Sequence, residues 1–157
     1  MSAGSANDQL IECFYGAFAA KNGAQMVACY APDVHFSDAV FTDLRGSRAG
    51  AMWKMLCERG KDLVVVHSEV AADGDEGSAH WEADYTFGGT GRKVHNVIDA
   101  TFKFQGGMIV AHEDRFSFWN WARQALGPAG LLLGWTPPLQ SKVRGQARAG
   151  LAAAMAA

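Results

Sequence analysis

The sequence predicts an α+β domain in which N-terminal helices cover one face of a cone-shaped, strongly curved antiparallel sheet, with extra helices at the C-terminal end. Three observations carry this expectation. Apolar residues recur at helical spacing through the first third of the chain. From about Asp62 to Trp119 the period becomes two and stays there, and Gly- and Asp-rich turns separate the period-two segments.

The elements follow in order. Leu10, Phe14, Ala17 and Phe18 mark an amphipathic helix over residues 8 to 21, with Asn22-Gly23 as its stop. A second short helix runs from Ala24 to about Tyr30, because the residues ahead of Pro32 disfavour helical geometry. "DVHFSD" alternates as a strand with Val34, Phe36 and Asp38 on one face. Ser47 is read as the cap of a helix reaching Glu58, with Ala51, Trp53 and Met55 as packing residues. "DLVVVHSEVAAD", "SAHWEADYTF", "RKVHNVIDATFKF" and "MIVAHEDRFSFW" are four strands of a meander, joined by "GDEG", "GGTG" and "QGG"; such short turns favour antiparallel neighbours. A short helix to about Leu126, a "GPAG" break and a final helix after Thr136-Pro137 complete the chain. Residues 1–121 are expected to form the α+β barrel domain, and residues 122–157 a helical extension packed on it.

Composition narrows the function classes. Hydrophobic residues make up 49% and charged residues 19%, as in soluble globular chains, and "MSAGSANDQL" lacks the basic and apolar segments of a signal peptide, so a cytoplasmic location is expected. Cys13, Cys29 and Cys57 lack metal or redox spacing and read as core thiols. Residues 1–114 carry all 16 acidic side chains against 9 Lys and Arg, a formal −7; residues 115–157 carry 5 Lys and Arg and no acid, +5. Packing of the basic tail on the acidic body, with Trp135 and Leu139 as anchors, is the expected outcome. Membrane contact by the C-terminal helix, through Leu139, Val143, Ala147 and Leu151, is not expected. No nucleic-acid motif or basic aromatic face is present in the sequence.

The order of elements, together with "YAPDVHFSDAVF", "RGSRAGAMW", "VIDATFKFQGGMIVAHED" and "RFSFW", resembles the SnoaL-like and ketosteroid-isomerase-like branch of the nuclear transport factor 2-like superfamily, over roughly residues 7 to 121. The resemblance implies an α+β cone, often a homodimer, with a largely apolar pocket for a hydrophobic small molecule. It implies no cofactor and fixes no activity, because the fold hosts isomerases, cyclases, hydrolases, dehydratases and binding modules.

Carried over residue by residue, the resemblance puts the general base of the isomerases at Asp38, at the end of the first strand. A carboxylate among apolar groups is a better base near neutral pH, although a strand-end aspartate that bonds its own loop is an equal alternative. Ketosteroid isomerases hold the oxyanion with a tyrosine and a protonated aspartate. The corresponding positions here are Phe14, with Tyr15 one residue later, and Ala100, with Asp99 adjacent and facing away.

"AHEDRFSFW" then needs an explanation, because charge precedes a run of aromatics. If Phe116 and Phe118 lie on the buried face of the strand, His112 and Asp114 share it, while Glu113 and Arg115 point outward. A His and an Asp inside an apolar cone must be hydrogen-bonded, to each other, to Asp38 or to a ligand. No third metal ligand has a recognisable spacing, so no metal is expected. The candidate catalytic residues are therefore Asp38, His112 and Asp114, and the candidate ligand-binding residues are Phe14, Tyr15, Phe36, Trp53, Trp81, Tyr85, Asn96, Phe102 and Phe116. His80, Glu82, Asp84, His95, Asp99 and Thr101 fall on the outer face, suited to a wet dimer contact. The residues lean toward an enzyme that moves a proton α to a carbonyl on a hydrophobic substrate. The alternative is a non-catalytic ligand-binding or dimerisation module.

Overall fold

The computed structural model describes residues 3–156. Helix α1 (Ala3–Ala19) turns Ile11, Phe14, Tyr15 and Phe18 inward at helical spacing. It ends earlier than Asn22-Gly23: Lys21 takes a left-handed φ of 58°, and the Asn22 and Lys21 amides return to the carbonyls of Ala17 and Phe18, which closes the last turn. Asn22 then caps α2 (Gly23–Ala28), its side chain accepting from the Gln25 amide at 3.1 Å. Strand β1 (Tyr30–Ser37) begins where a helix end was expected, and a two-residue strand β2 (Leu44–Arg45) interrupts the following loop. Helix α3 (Ser47–Arg59) is capped by Gly46 at φ 59°, so Ser47 is its first helical residue and not its cap.

The meander is β3 (Val64–Asp73), β4 (Glu76–Thr86), β5 (Lys93–Gln105) and β6 (Met108–Arg115). Gly106 and Gly107, both at positive φ, form the two-residue turn between β5 and β6, a geometry that right-twisted hairpins require. The sheet is open, with strand order β2-β1-β6-β5-β4-β3. It is mixed and not wholly antiparallel, because β1 lies parallel to β6 with Phe36 opposite His112. The α+β class with helices on the sheet is the one expected.

Period two holds best on β5, where buried and exposed residues alternate along its whole length. Trp81 and Ala83 of β4 face the same interior. There Trp53, Phe14, Phe36, Met52 and Ile98 are fully buried, each contributing roughly 1.5–3 kcal/mol of transfer free energy. Cys29 and Cys57 are core thiols, whereas Cys13 is exposed on α1.

The C-terminal part departs most from expectation. β6 stops at Arg115, and Ser117 caps α4 (Phe118–Ala125) by accepting from the Asn120 amide at 3.1 Å. Phe116 is therefore half-buried in the strand-to-helix turn, and Phe118 packs from a helix. The "GPAG" break contains a further helix, α5 (Pro128–Leu133), pressed so closely on α4 that a Cβ at Gly130 would overlap the Ala122 carbonyl. Helix α6 (Pro137–Ala156) lies along α3 and buries Val143 and Leu151. The expected anchor Trp135 is exposed instead, and Leu139 is half-buried. Of the five basic residues after Asp114, only Arg115, still on β6, pairs with a carboxylate, Glu113; among the described residues Arg123, Lys142, Arg144 and Arg148 touch no carboxylate, and Arg144 donates to the Ala39 carbonyl at 2.9 Å while covering the Phe118 ring. No helix among the described residues is long and apolar enough to cross a membrane.

Because Leu151 enters the main core from the last helix, Leu151→Ala should destabilise the whole domain by about 2–4 kcal/mol. Urea unfolding should show a lower midpoint with an unchanged slope.

Candidate functional site

His112 and Asp114 share the buried face of β6, opposite Phe102 and Ala100 of β5. Aromatic rings enclose His112: Phe102 has its centroid 4.4 Å away, Phe36 5.0 Å, Phe14 5.4 Å, and Trp53 stacks at 5.9 Å. A line of hydrogen bonds crosses this apolar interior. Trp53 Nε1 donates to Tyr30 Oη at 2.8 Å, and Tyr30 Oη lies 2.7 Å from His112 Nδ1. His112 Nε2 lies 2.8 Å from Asp114 Oδ1, which also accepts from Trp81 Nε1 at 3.3 Å. An indole can only donate, so the Tyr30 hydroxyl accepts from Trp53 and gives its own hydrogen to His112 Nδ1. Donor matching then assigns the imidazole proton to Nε2, where it meets Asp114.

Asp38 is not part of that line. It sits just past β1, half-buried, and its Oδ1 accepts from the amides of Val40 at 2.7 Å and Phe41 at 2.6 Å. Its own amide closes the loop onto the Phe41 carbonyl. Burial pushes its carboxyl up to about 7; the Asp114 charge adds to the rise, while the Phe41 and Val40 amides and the Arg144 guanidinium oppose it. The second carboxyl oxygen makes no hydrogen bond within the described residues. Asp38 and Asp114 thus share an electrostatic field but no hydrogen bond.

The positions matched to the oxyanion hole carry no donor. Phe14 stacks on Tyr30, and Ala100 lies opposite Asp114. Asp99 faces outward and bonds His80 at 2.9 Å. Tyr15 is fully buried, and its hydroxyl has no partner among the described residues. Burial, with the Asp114 charge, pushes its phenol well above the ordinary range.

Of the ligand-binding candidates, Phe14, Tyr15, Phe36, Trp53, Trp81 and Phe102 form one aromatic core around His112, in contact with each other and not around open space. Asn96 is buried on β5, facing Ala83. Tyr85 and Phe116 are half-buried at the seam between this core and the smaller one under α4, where Trp121 Nε1 donates to Tyr85 Oη at 2.8 Å. Two surface concavities lie elsewhere, one at the β3–β4 turn and one beside Asp62, Lys93 and Gln124. On the outer face, His80 bridges Asp99 and Glu82, and His95 bridges Glu82 and Asp84; these carboxylates raise both imidazoles above their ordinary pKa.

Tyr30 is the site residue that sequence reasoning missed. Its signal was present, since positions 30, 34 and 36 share a parity, but a strand start at Asp33 left it in the preceding helix. Among the described residues, no group of three or more His, Cys, Asp and Glu side chains is arranged to hold a metal ion.

Two outcomes follow from this geometry. Tyr30→Phe removes the link and leaves buried donors and acceptors on Trp53 and His112 unpaired, which should cost about 2–4 kcal/mol in urea unfolding with little change of volume. Asp38 titrates higher in the folded chain than in the unfolded one, where its value is 3.8, so the folded chain retains a proton that the unfolded chain has released. Stability contributed by this group is present below pH 4 and falls as pH rises toward 7. Asp38→Asn should therefore melt several degrees above wild type at pH 8, and the gap should close near pH 4.

The family comparison agrees with the architecture. The sequence model of the SnoaL-like domain matches residues 11–112. No curated protein matches the sequence significantly. Among solved structures, an LEH-like epoxide hydrolase of M. tuberculosis is 17% identical at a TM-score of 0.65, covering 84% of this chain and 98% of its own. A protein of a Jannaschia species assigned to the SnoaL-like polyketide cyclases is 15% identical at 0.70, covering 82% and 97%. A Catenulispora acidiphila protein with a ketosteroid isomerase-like fold, in complex with trimethylamine, is 15% identical at 0.67, covering 82% and 97%. Identities this low speak for the shared fold alone. With most of its length matched by the domain model and its elements in the same arrangement, the chain belongs to the SnoaL-like family.

Proposed function

We propose that the protein takes a hydrophobic small molecule at the Asp38 end of the cone and catalyses proton transfer α to a carbonyl. The observation that carries this reading is the Asp38 carboxyl. It is raised to about 7 yet fixed by two backbone amides through one oxygen, which leaves the other oxygen as a proton acceptor. Desolvation makes it a stronger base than an exposed carboxylate, and the cost in stability is the kind that functional groups carry. The developing oxygen charge needs a donor. Tyr15 offers a buried hydroxyl that no group among the described residues engages, and the His112–Asp114 pair also faces the interior. Entry of a ligand involves the seam at Tyr85 and Phe116, because the interior itself is filled with rings.

A second reading has its own support. The hydrogen-bond line is satisfied without a ligand, and the outer face combines the His80–Glu82–His95 network with exposed Val64, Val66 and Val97, which suits a non-catalytic binding or dimerisation module pairing two copies through the sheet. The two readings separate in one experiment. Deuterium exchange α to the carbonyl of hydrophobic cyclic ketones, followed by NMR, should be accelerated by the wild-type protein with an apparent pKa near 7, and Asp38→Asn should lower the rate by about 10²-fold or more. Exchange no faster than in buffer, or equal in Asp38→Asn, leaves the module as the reading, with a homodimer by sedimentation equilibrium as its positive sign.

A further inference from the structure

The corner where α4, α5 and α6 meet has an apolar surface that neither the core nor the Asp38 site uses. Leu131 and Leu133 are each 52% exposed, and Leu132 and Trp135 each 68%, within five consecutive residues. Scattered exposed leucines need no explanation, but a contiguous projecting group of this kind marks a contact surface. The corner is rigidly presented. Gly130 locks α5 against α4, the Trp135 indole donates to the Leu132 carbonyl at 3.1 Å, and the Trp119 indole donates to the Leu131 carbonyl at 3.0 Å.

Its surroundings are basic. Arg123 lies over the Trp119 ring, Arg92 donates to the Gln124 carbonyl at the start of the same corner, and Lys142 is exposed on the second turn of α6. No acidic residue occurs after Asp114, and among the described residues Arg92, Arg123 and Lys142 make no ion pair. Their charge faces outward uncompensated.

We propose that this corner, Leu131–Leu133 and Trp135 rimmed by Arg123 and Lys142, is a docking surface for an anionic lipid bilayer. The leucines and the indole would enter the boundary between headgroups and acyl chains, and the basic rim would meet lipid phosphates and carboxylates. A second copy of the chain fits worse on two counts. Four side chains on a projecting corner bury far less than the roughly 800 Å² per partner that a stable dimer needs, and a symmetric contact would bring one basic rim against another. The α6 stripe that the sequence offered as a membrane face is excluded, since Val143 and Leu151 are buried inside the protein.

The test is co-sedimentation of the full chain with vesicles of phosphatidylcholine alone and of phosphatidylcholine mixed with phosphatidylserine, at low and high salt. The expected result is binding to the phosphatidylserine vesicles that weakens with salt. A Leu132→Ser/Trp135→Ser variant should lower the affinity about tenfold or more, and an Arg123→Gln/Lys142→Gln variant should lower it several-fold and flatten the salt dependence. The affected side chains are exposed, so wild-type melting should persist; should the apolar double variant melt early, the single Leu132→Ser variant carries the comparison. Three results would overturn the proposal: no binding to phosphatidylserine vesicles, binding that the apolar variants retain in full, or a dimer in sedimentation velocity that those variants dissociate.

Discussion

A histidine and an aspartate buried among aromatic rings need hydrogen-bond partners inside the core, and supplying them organises the domain. The answers come from separate elements: Trp53 from α3, Tyr30 from β1, and Trp81 from β4, all converging on His112 and Asp114 of β6. A shift of any one element by one residue would turn its donor away and strand a polar group in the core. The parallel pairing of β1 with β6 serves the same end, since it sets Phe36 against His112 and brings Tyr30 within reach of Nδ1. The indoles matter here as much for their N–H groups as for their area, because each places a donor deep in an apolar interior.

The two interior carboxylates meet opposite circumstances. Asp114 receives an imidazole and an indole N–H on one oxygen and is nearly inaccessible. Asp38 is held by backbone alone, lies at the edge of the core, and is pushed up by burial and by the charge of Asp114. Asp114 is thus tied into the frame by side chains, whereas one oxygen of Asp38 takes no hydrogen bond among the described residues.

Much of this was legible in the sequence wherever local period determines facing. Asn96 and Phe102, singled out from the sequence, lie on the buried face of β5, and the parity of β6 puts His112 and Asp114 inside and Glu113 and Arg115 outside. The errors arose where one residue type serves two local structures. Ser117 reads as a strand residue by parity but acts as a helix cap, so Phe116 and Phe118 were assigned to a strand that had already ended. Tyr30, just ahead of Pro32, reads as a helix end and is a strand start. The Tyr30–His112 bond joins residues 82 apart, and nothing in either segment specifies the register between them. The rings at Phe14, Trp53 and Phe102 were correctly taken as interior, but period cannot distinguish a lining from a filling.

The charge asymmetry was visible in the sequence, whereas its resolution was not. A tail of basic residues beside an acidic body suggests ion pairs, yet Arg144 pairs with no carboxylate and instead donates to a carbonyl and covers a ring. Its position has a consequence for the site. Arg144 bonds Ala39, the residue after Asp38, and its charge is one of the forces holding the Asp38 carboxyl down. Trp121 of α4 bonds Tyr85 at the seam of the core, and α5 is clamped to α4 by the contact at Gly130. Helix α6 therefore reaches the residue beside Asp38 through Arg144, and α4 reaches the seam of the core through Trp121.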